Sequence, residues 1–149
     1  MGSVAAGAFG LAGAAGAAAA PLAGALADRR GPDSVVRVGA LLVAGSFAAM
    51  ALRPGSLAVL IAATVLFDPG VQASLIAHQT IVYGLDRTAR SRLNALLVGS
   101  MFLGMSAGSA LAGIVFARFG WAGVATLGAV AAIAALVVRL IPRTPEAER

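Results

Sequence analysis

Five apolar stretches, at residues 4–27, 34–52, 57–85, 95–117 and 121–141, follow one another with only short polar interruptions. A helix needs roughly 20 predominantly apolar residues to cross the hydrocarbon core of a bilayer, at about 1.5 Å of rise per residue. In lipid every backbone polar group must be satisfied within the protein, which helices and closed barrels do, and continuous apolar runs of this length suit helices rather than the short alternating strands of a barrel. The sequence therefore predicts an all-α membrane protein: one transmembrane domain of five helices over residues 1–149, with the lipid bilayer as its first partner. The interruptions are turn-forming: Gly31-Pro32 lies within residues 28–33, Arg53-Pro54-Gly55-Ser56 follows, then the charged stretch 86–94, then Arg118 to Gly120.

The charges agree with that reading. Charged residues make up only 11% of the chain against 60% hydrophobic, and the net charge of +5 comes from Arg alone. Such a balance in a soluble chain would suggest nucleic acid, but here the arginines sit between apolar segments, where they set topology. Nucleic acid is not implied. The first interruption has Arg29, Arg30 and Arg37; the second has Arg53; the third has Arg87, Arg90 and Arg92; the fourth has Arg118; the tail has Arg139, Arg143 and Arg149. Because cytoplasmic loops collect positive charge, this alternation predicts a cytoplasmic C-terminus and an extracytoplasmic N-terminus in a multi-pass protein of the cell membrane. Exclusive use of Arg, with abundant Ala and Gly, points to a high-GC bacterial source. With no Cys and one His, neither a disulfide framework nor a zinc site can be built, and no metal or cofactor is expected. Ala25-Leu26-Ala27 before Asp28 resembles a signal-peptidase site, yet no basic residue precedes the apolar run.

The third stretch carries Thr64, Asp68, Gln72, His78, Gln79 and Tyr83. An ionised carboxylate at membrane depth costs at least about 2.5 to 3.5 kcal/mol on insertion scales, so Asp68 is expected to face a cavity or a partner. At about 100° per residue, Thr64, Asp68, Gln72, Gln79 and Tyr83 share one helix face, and His78 stands about 80° from Asp68. Pro69 removes an amide hydrogen and crowds the carbonyl of Val65, so a kink is expected beside the carboxylate, with Gly70 adding slack. These residues read as the path of a solute or a proton. The simpler alternative is that Asp68 and His78 only hydrogen-bond neighbouring helices.

Gly7, Gly10, Gly13 and Gly16 recur every three residues, and Gly104 and Gly108 form a G-x-x-x-G pair. Small faces let membrane helices approach closely, so Gly104 and Gly108 are expected to pack against another helix. The glycine run lacks the G-x-G element and preceding strand of a dinucleotide site. Gly104-Met105-Ser106-Ala107-Gly108 matches a hydrolase elbow in letters only, since that elbow needs a strand-to-helix turn and Ser106 lies inside an apolar helix. No enzyme is expected.

Gly24-Ala25-Leu26-Ala27-Asp28-Arg29-Arg30-Gly31 resembles the G-x-L-A-D-R-x-G signature of the major facilitator superfamily, with Pro32 and Asp33 standing where that signature continues with basic residues. Asp68-Pro69-Gly70-Val71-Gln72 and Gln79-Thr80 are similar to the tenth helix of its arabinose-efflux-like and drug-efflux-like permeases. Ala89-Arg90-Ser91-Arg92-Leu93-Asn94, Phe102-Leu103-Gly104, Gly108-Ser109 and Gly120-Trp121 continue the likeness. His78 stands where that branch has Asn, and Arg87 where it has Pro. The resemblance implies helices eight to twelve of a twelve-helix carrier, a partial fold in which the C-terminal half lacks its first helix. By the same resemblance Gly24, Asp28, Arg29, Arg30 and Gly31 form a cytoplasmic gate.

The expectation is therefore a fragment of a secondary transporter, a proton-coupled exporter of small organic molecules whose partners are solute, protons and the N-terminal half of the carrier. Alternating access needs two halves around a shared midplane site, so five helices alone are not expected to transport. A small membrane protein that acts only by helix-helix docking, or a decayed transporter gene product, is the rival expectation.

Overall fold

A computed structural model describes residues 29–141, and before them Pro21 and Ala25 as isolated helical positions. Apart from those two positions, the expected helix 4–27 lies outside the described residues, as do Gly24 and Asp28. Three helices follow: α1 (Pro32–Leu52), α2 (Leu57–Leu85) and α3 (Arg90–Leu140). All three are long and apolar enough to cross a membrane by length and composition.

Local chemistry sets the ends. Arg29 and Arg30 are helical, and Gly31, at φ 79°, breaks the chain before Pro32 opens α1. A proline at the first helical position forfeits no hydrogen bond there, because that amide has no intrahelical partner. Between α1 and α2 the Arg53 amide donates to the Ala49 carbonyl at 3.1 Å, and Ser56 caps α2 by accepting from the Val59 amide at 3.4 Å. Such a cap is worth about 1 kcal/mol.

α3 begins at Arg90, earlier than the 95 that hydropathy suggested. Asp86 Oδ1 accepts from the Thr88 amide and hydroxyl, both at 2.7 Å, and this turn launches the polar residues 90–94 directly into helix. As one rod α3 would be about 77 Å long, far more than a bilayer. It is two legs, 90–119 and 121–140, joined at Gly120, whose φ of 64° and ψ of −158° are non-helical. Pro69, by contrast, sits inside α2 without ending it. The break at Gly120 falls at the turn that the sequence places between the apolar stretches 95–117 and 121–141.

The helices alternate in direction. Small residues Ala63, Gly70 and Ala77 recur on one face of α2 and are buried. Ala77 packs with Val35 and Val36, and Ala63 with Met50 and Ala125. Phe47 meets Phe67 edge to face, with centroids 5.4 Å apart. The same Phe47 ring covers Gly128, where an added Cβ would fall 2.6 Å from its Cδ1 atom. These contacts run α1 antiparallel to α2 and to the second leg of α3. Leg 90–119 instead presents many of its apolar side chains outward, Leu103 being 75% exposed and Phe119 69%, while Leu97 and Met101 face the other helices. In a bilayer such exposure carries no hydrophobic penalty. Gly104 and Gly108 meet nothing within 4 Å among the described residues, and the close helix approach occurs at Gly39 and Gly70.

Candidate functional site

Packing divides the polar residues of α2 into two groups. With Ala63, Gly70 and Ala77 against α1, helical geometry places Asp68, Gln72 and Gln79 about 160 to 180° away, on the far side of α2. Asp68 and Gln79 are half-buried and Gln72 is exposed. Thr64 flanks the stripe and donates to the Leu60 carbonyl at 2.8 Å, so its hydroxyl hydrogen is committed to its own helix. Tyr83 closes the other end by donating to Asn94 Oδ1 at 2.7 Å, which ties α2 to the first turns of α3.

His78 stands at the edge of the stripe, about 80° from Asp68. Its Nδ1 lies 2.7 Å from the Ser74 carbonyl oxygen, and it lines a cavity of about 660 Å³ between α1, α2 and both legs of α3. Ser74, Ser100 and Arg139 are the other polar residues of that wall. Arg139 pairs through its guanidinium with Asp33 at the start of α1. The pair joins the two ends of the described chain across 106 positions of sequence. A second space, of about 530 Å³, lies at the opposite end of the bundle among Met50, Arg53, Leu57, Leu60 and Trp121.

Of the five signature residues, Arg29, Arg30 and Gly31 are described. Gly31 has a positive φ of 79°, and Arg30 accepts at its carbonyl from Ser34 Oγ at 2.9 Å. In the loop between α2 and α3, hydrogen bonds from the Thr88 hydroxyl and amide hold Asp86 below the ordinary carboxylate pKa, opposed by desolvation and assisted by the Ala89 amide. Among the described residues no group of three His, Cys, Asp or Glu side chains could hold a metal ion.

The sequence match decides what this bundle is part of. The Major Facilitator Superfamily model covers residues 1–149. The chain belongs to the Major Facilitator Superfamily. Within the superfamily it is 40% identical over 124 residues to probable transporter SCO4007 of Streptomyces coelicolor, covering 83% of this chain and 29% of that protein. It is 39% identical over 116 residues to the uncharacterized transporter YgaY of Escherichia coli O157:H7, covering 78% of this chain and 29% of the relative. A third relative, the 4-hydroxybenzoate transporter PcaK of Pseudomonas aeruginosa, is 34% identical over 130 residues, covering 85% and 28%. The chain thus spans less than a third of the length of these curated relatives. No solved structure matches it. Superfamily membership and transporter relatives make it a multi-pass membrane protein of a transport family, not an enzyme.

Sequence reasoning reached the stripe but not the cavity. Asp33 and Arg139 were read separately, one as a departure from the signature and the other as a topology charge. Ser74 and Ser100 carry no sequence signal, and Asn94 enters only as part of a loop likeness, not as the partner of Tyr83. The signal available was Arg139 itself, a cation inside the last apolar stretch rather than beyond it.

Proposed function

We propose that the chain is part of a secondary active transporter, contributing helices eight to twelve of a twelve-helix carrier, and that the complete protein exports a small organic molecule in exchange for protons across the bacterial cytoplasmic membrane. The observation that supports this reading is the placement of Asp68, Gln72 and Gln79 on the face of α2 turned away from α1. A carboxylate is retained at membrane depth without serving the α1 contact, which is the position expected of a group facing a solute path or the other half of the carrier. Asp68 is the coupling group in this reading: it binds a proton in one orientation and releases it in the other. Gln72, Gln79, Tyr83 and Thr64 supply solute or water contacts, and His78 stands at the edge of the path.

Gly24, Asp28, Arg29, Arg30 and Gly31 form the cytoplasmic gate in this reading, Gly104 and Gly108 pack against a helix outside the described residues, and the C-terminus is cytoplasmic. The PcaK relative is named for an aromatic acid, 4-hydroxybenzoate, a small organic solute. The deciding experiment replaces Asp68 with Asn in the complete transporter, assayed in inverted vesicles under an imposed pH gradient. Gradient-driven uptake is expected to vanish while the protein still inserts. Uptake that stays normal and gradient-dependent removes Asp68 from coupling.

A further inference from the structure

The cavity between α1, α2 and the two legs of α3 is a second candidate site, separate from the Asp68 stripe. Its volume of about 660 Å³ lies within the range of pockets that enclose small organic ligands. Its wall is apolar over Val36, Val43, Val71, Leu97, Met101 and Val138. The hydroxyl hydrogens of Ser74 and Ser100 are committed to the Gly70 and Leu97 carbonyls, each at 2.8 Å. His78 Nδ1 is engaged by the Ser74 carbonyl.

Arg139 is different. Its side chain is only 13% exposed, and its Nε–H is buried with no hydrogen-bond partner among the described residues. A buried donor left unpaired is costly, and an anionic acceptor is the partner that relieves the cost most. The counter-ion present, Asp33, is 66% exposed, so water competes with it for the guanidinium and the pair is weak.

We propose that this cavity binds an organic anion with an apolar body, its carboxylate or phosphate head accepting from Arg139 and its body filling the space toward Val43 and Val71. Asp33 is the resident competitor for the same guanidinium. Because Asp33 directly follows the Gly31-Pro32 turn, occupancy of the cavity loosens the tie between that turn and the end of α3. The anion can come from a lipid headgroup or from a free acid, since both present the same chemistry.

The test uses the full chain purified in an uncharged detergent, titrated with the fluorescent acid cis-parinarate and with its methyl ester. Saturable binding of the acid but not the ester is expected. Arg139→Gln weakens the acid about tenfold or more, as loss of a charge-assisted hydrogen bond implies. Asp33→Asn tightens it, and Ala135→Phe, which fills the cavity from its wall, abolishes it. Displacement of parinarate by octanoate assigns the site to free acids, and displacement by phosphatidylglycerol alone assigns it to a lipid headgroup. Equal binding of acid and ester, unchanged binding in Arg139→Gln, or displacement by neither competitor overturns the proposal. If Arg139→Gln does not fold, the acid against ester comparison on the unaltered chain decides.

Discussion

Gly39 and Gly70 cross backbone against backbone. A Cβ built on Gly39 would fall 2.6 Å from the Gly70 carbonyl oxygen and 2.2 Å from Ser74 Oγ, and one built on Gly70 would fall 3.0 Å from the Gly39 carbonyl oxygen. Only hydrogen at Gly39 lets α1 and α2 approach so closely, a Cβ at Gly70 would press tightly on its neighbours, and the contacts of Val35, Ala63 and Ala77 lie along the same interface. Gly39→Ala is therefore expected to destabilise the bundle by about 1 to 3 kcal/mol, the usual cost of overpacking. Gly45 meets nothing within 4 Å, so Gly45→Ala is the matched control and is expected to be neutral or slightly stabilising. Thermal unfolding of the two variants in detergent separates them; equal melting temperatures contradict the close crossing.

Gly120 performs a different task. Its φ of 64° with ψ of −158° lies in a region that is essentially reserved for glycine. Just beyond it, Gly123 sits so close that an added Cβ would lie 2.5 Å from the Phe119 Cβ. Gly120→Ala is expected to cost about 1 to 3 kcal/mol through backbone strain, although no atom within 4 Å obstructs its methyl group. Gly113→Ala, in open space within the first leg, is expected to cost nothing. A Gly120→Ala protein as stable as its parent, measured by the same unfolding assay, excludes a strained hinge.

What the sequence made legible follows from which forces act locally. The bounds of α1 and α2 were readable because Gly31-Pro32 and the turn from Arg53 to Ser56 end apolar runs abruptly. The start of α3 was not, since Arg90 to Asn94 are polar by hydropathy yet helical through the Asp86 turn before them. Helical periodicity placed Asp68, Gln72 and Gln79 on one face and set His78 apart, and the packing of α2 uses that same division. Which small residues meet could not be read. Gly104 and Gly108 have the spacing of a packing motif, whereas Gly39 and Gly70 belong to no shared local pattern and meet only once two helices cross. The Asp33–Arg139 pair is likewise a product of topology, because its partners lie at opposite ends of the described chain.

The Asp86 turn gives the loop between α2 and α3 a defined pH response. Hydrogen bonds from the Thr88 hydroxyl and amide favour the ionised carboxylate, so the folded-state pKa lies below the unfolded one. Ionisation then supports the turn fully above the unfolded carboxylate pKa, and that support is lost as pH falls through the lowered folded value. In an amide-resolved titration in detergent, the Thr88 resonance is expected to move with a midpoint below the ordinary carboxylate range. Asp86→Ala should abolish that movement. A Thr88 titration that persists in the variant assigns it to another group.

Tyr83 and Asn94 provide the specific polar tie between α2 and the first leg of α3, with the phenol donating to the amide oxygen at 2.7 Å. Both residues are half-buried. A neutral hydrogen bond of this kind contributes about 0.5 to 1.5 kcal/mol net. Tyr83→Phe removes the donor and keeps the ring, while Asn94→Ala removes the acceptor. Each single change is expected to lower stability by about that amount, and the double variant should be no worse than the poorer single one, because the two changes delete the same bond. Strictly additive losses in the double-mutant cycle would mean that the two side chains act independently and that leg 90–119 is held against α2 by other contacts.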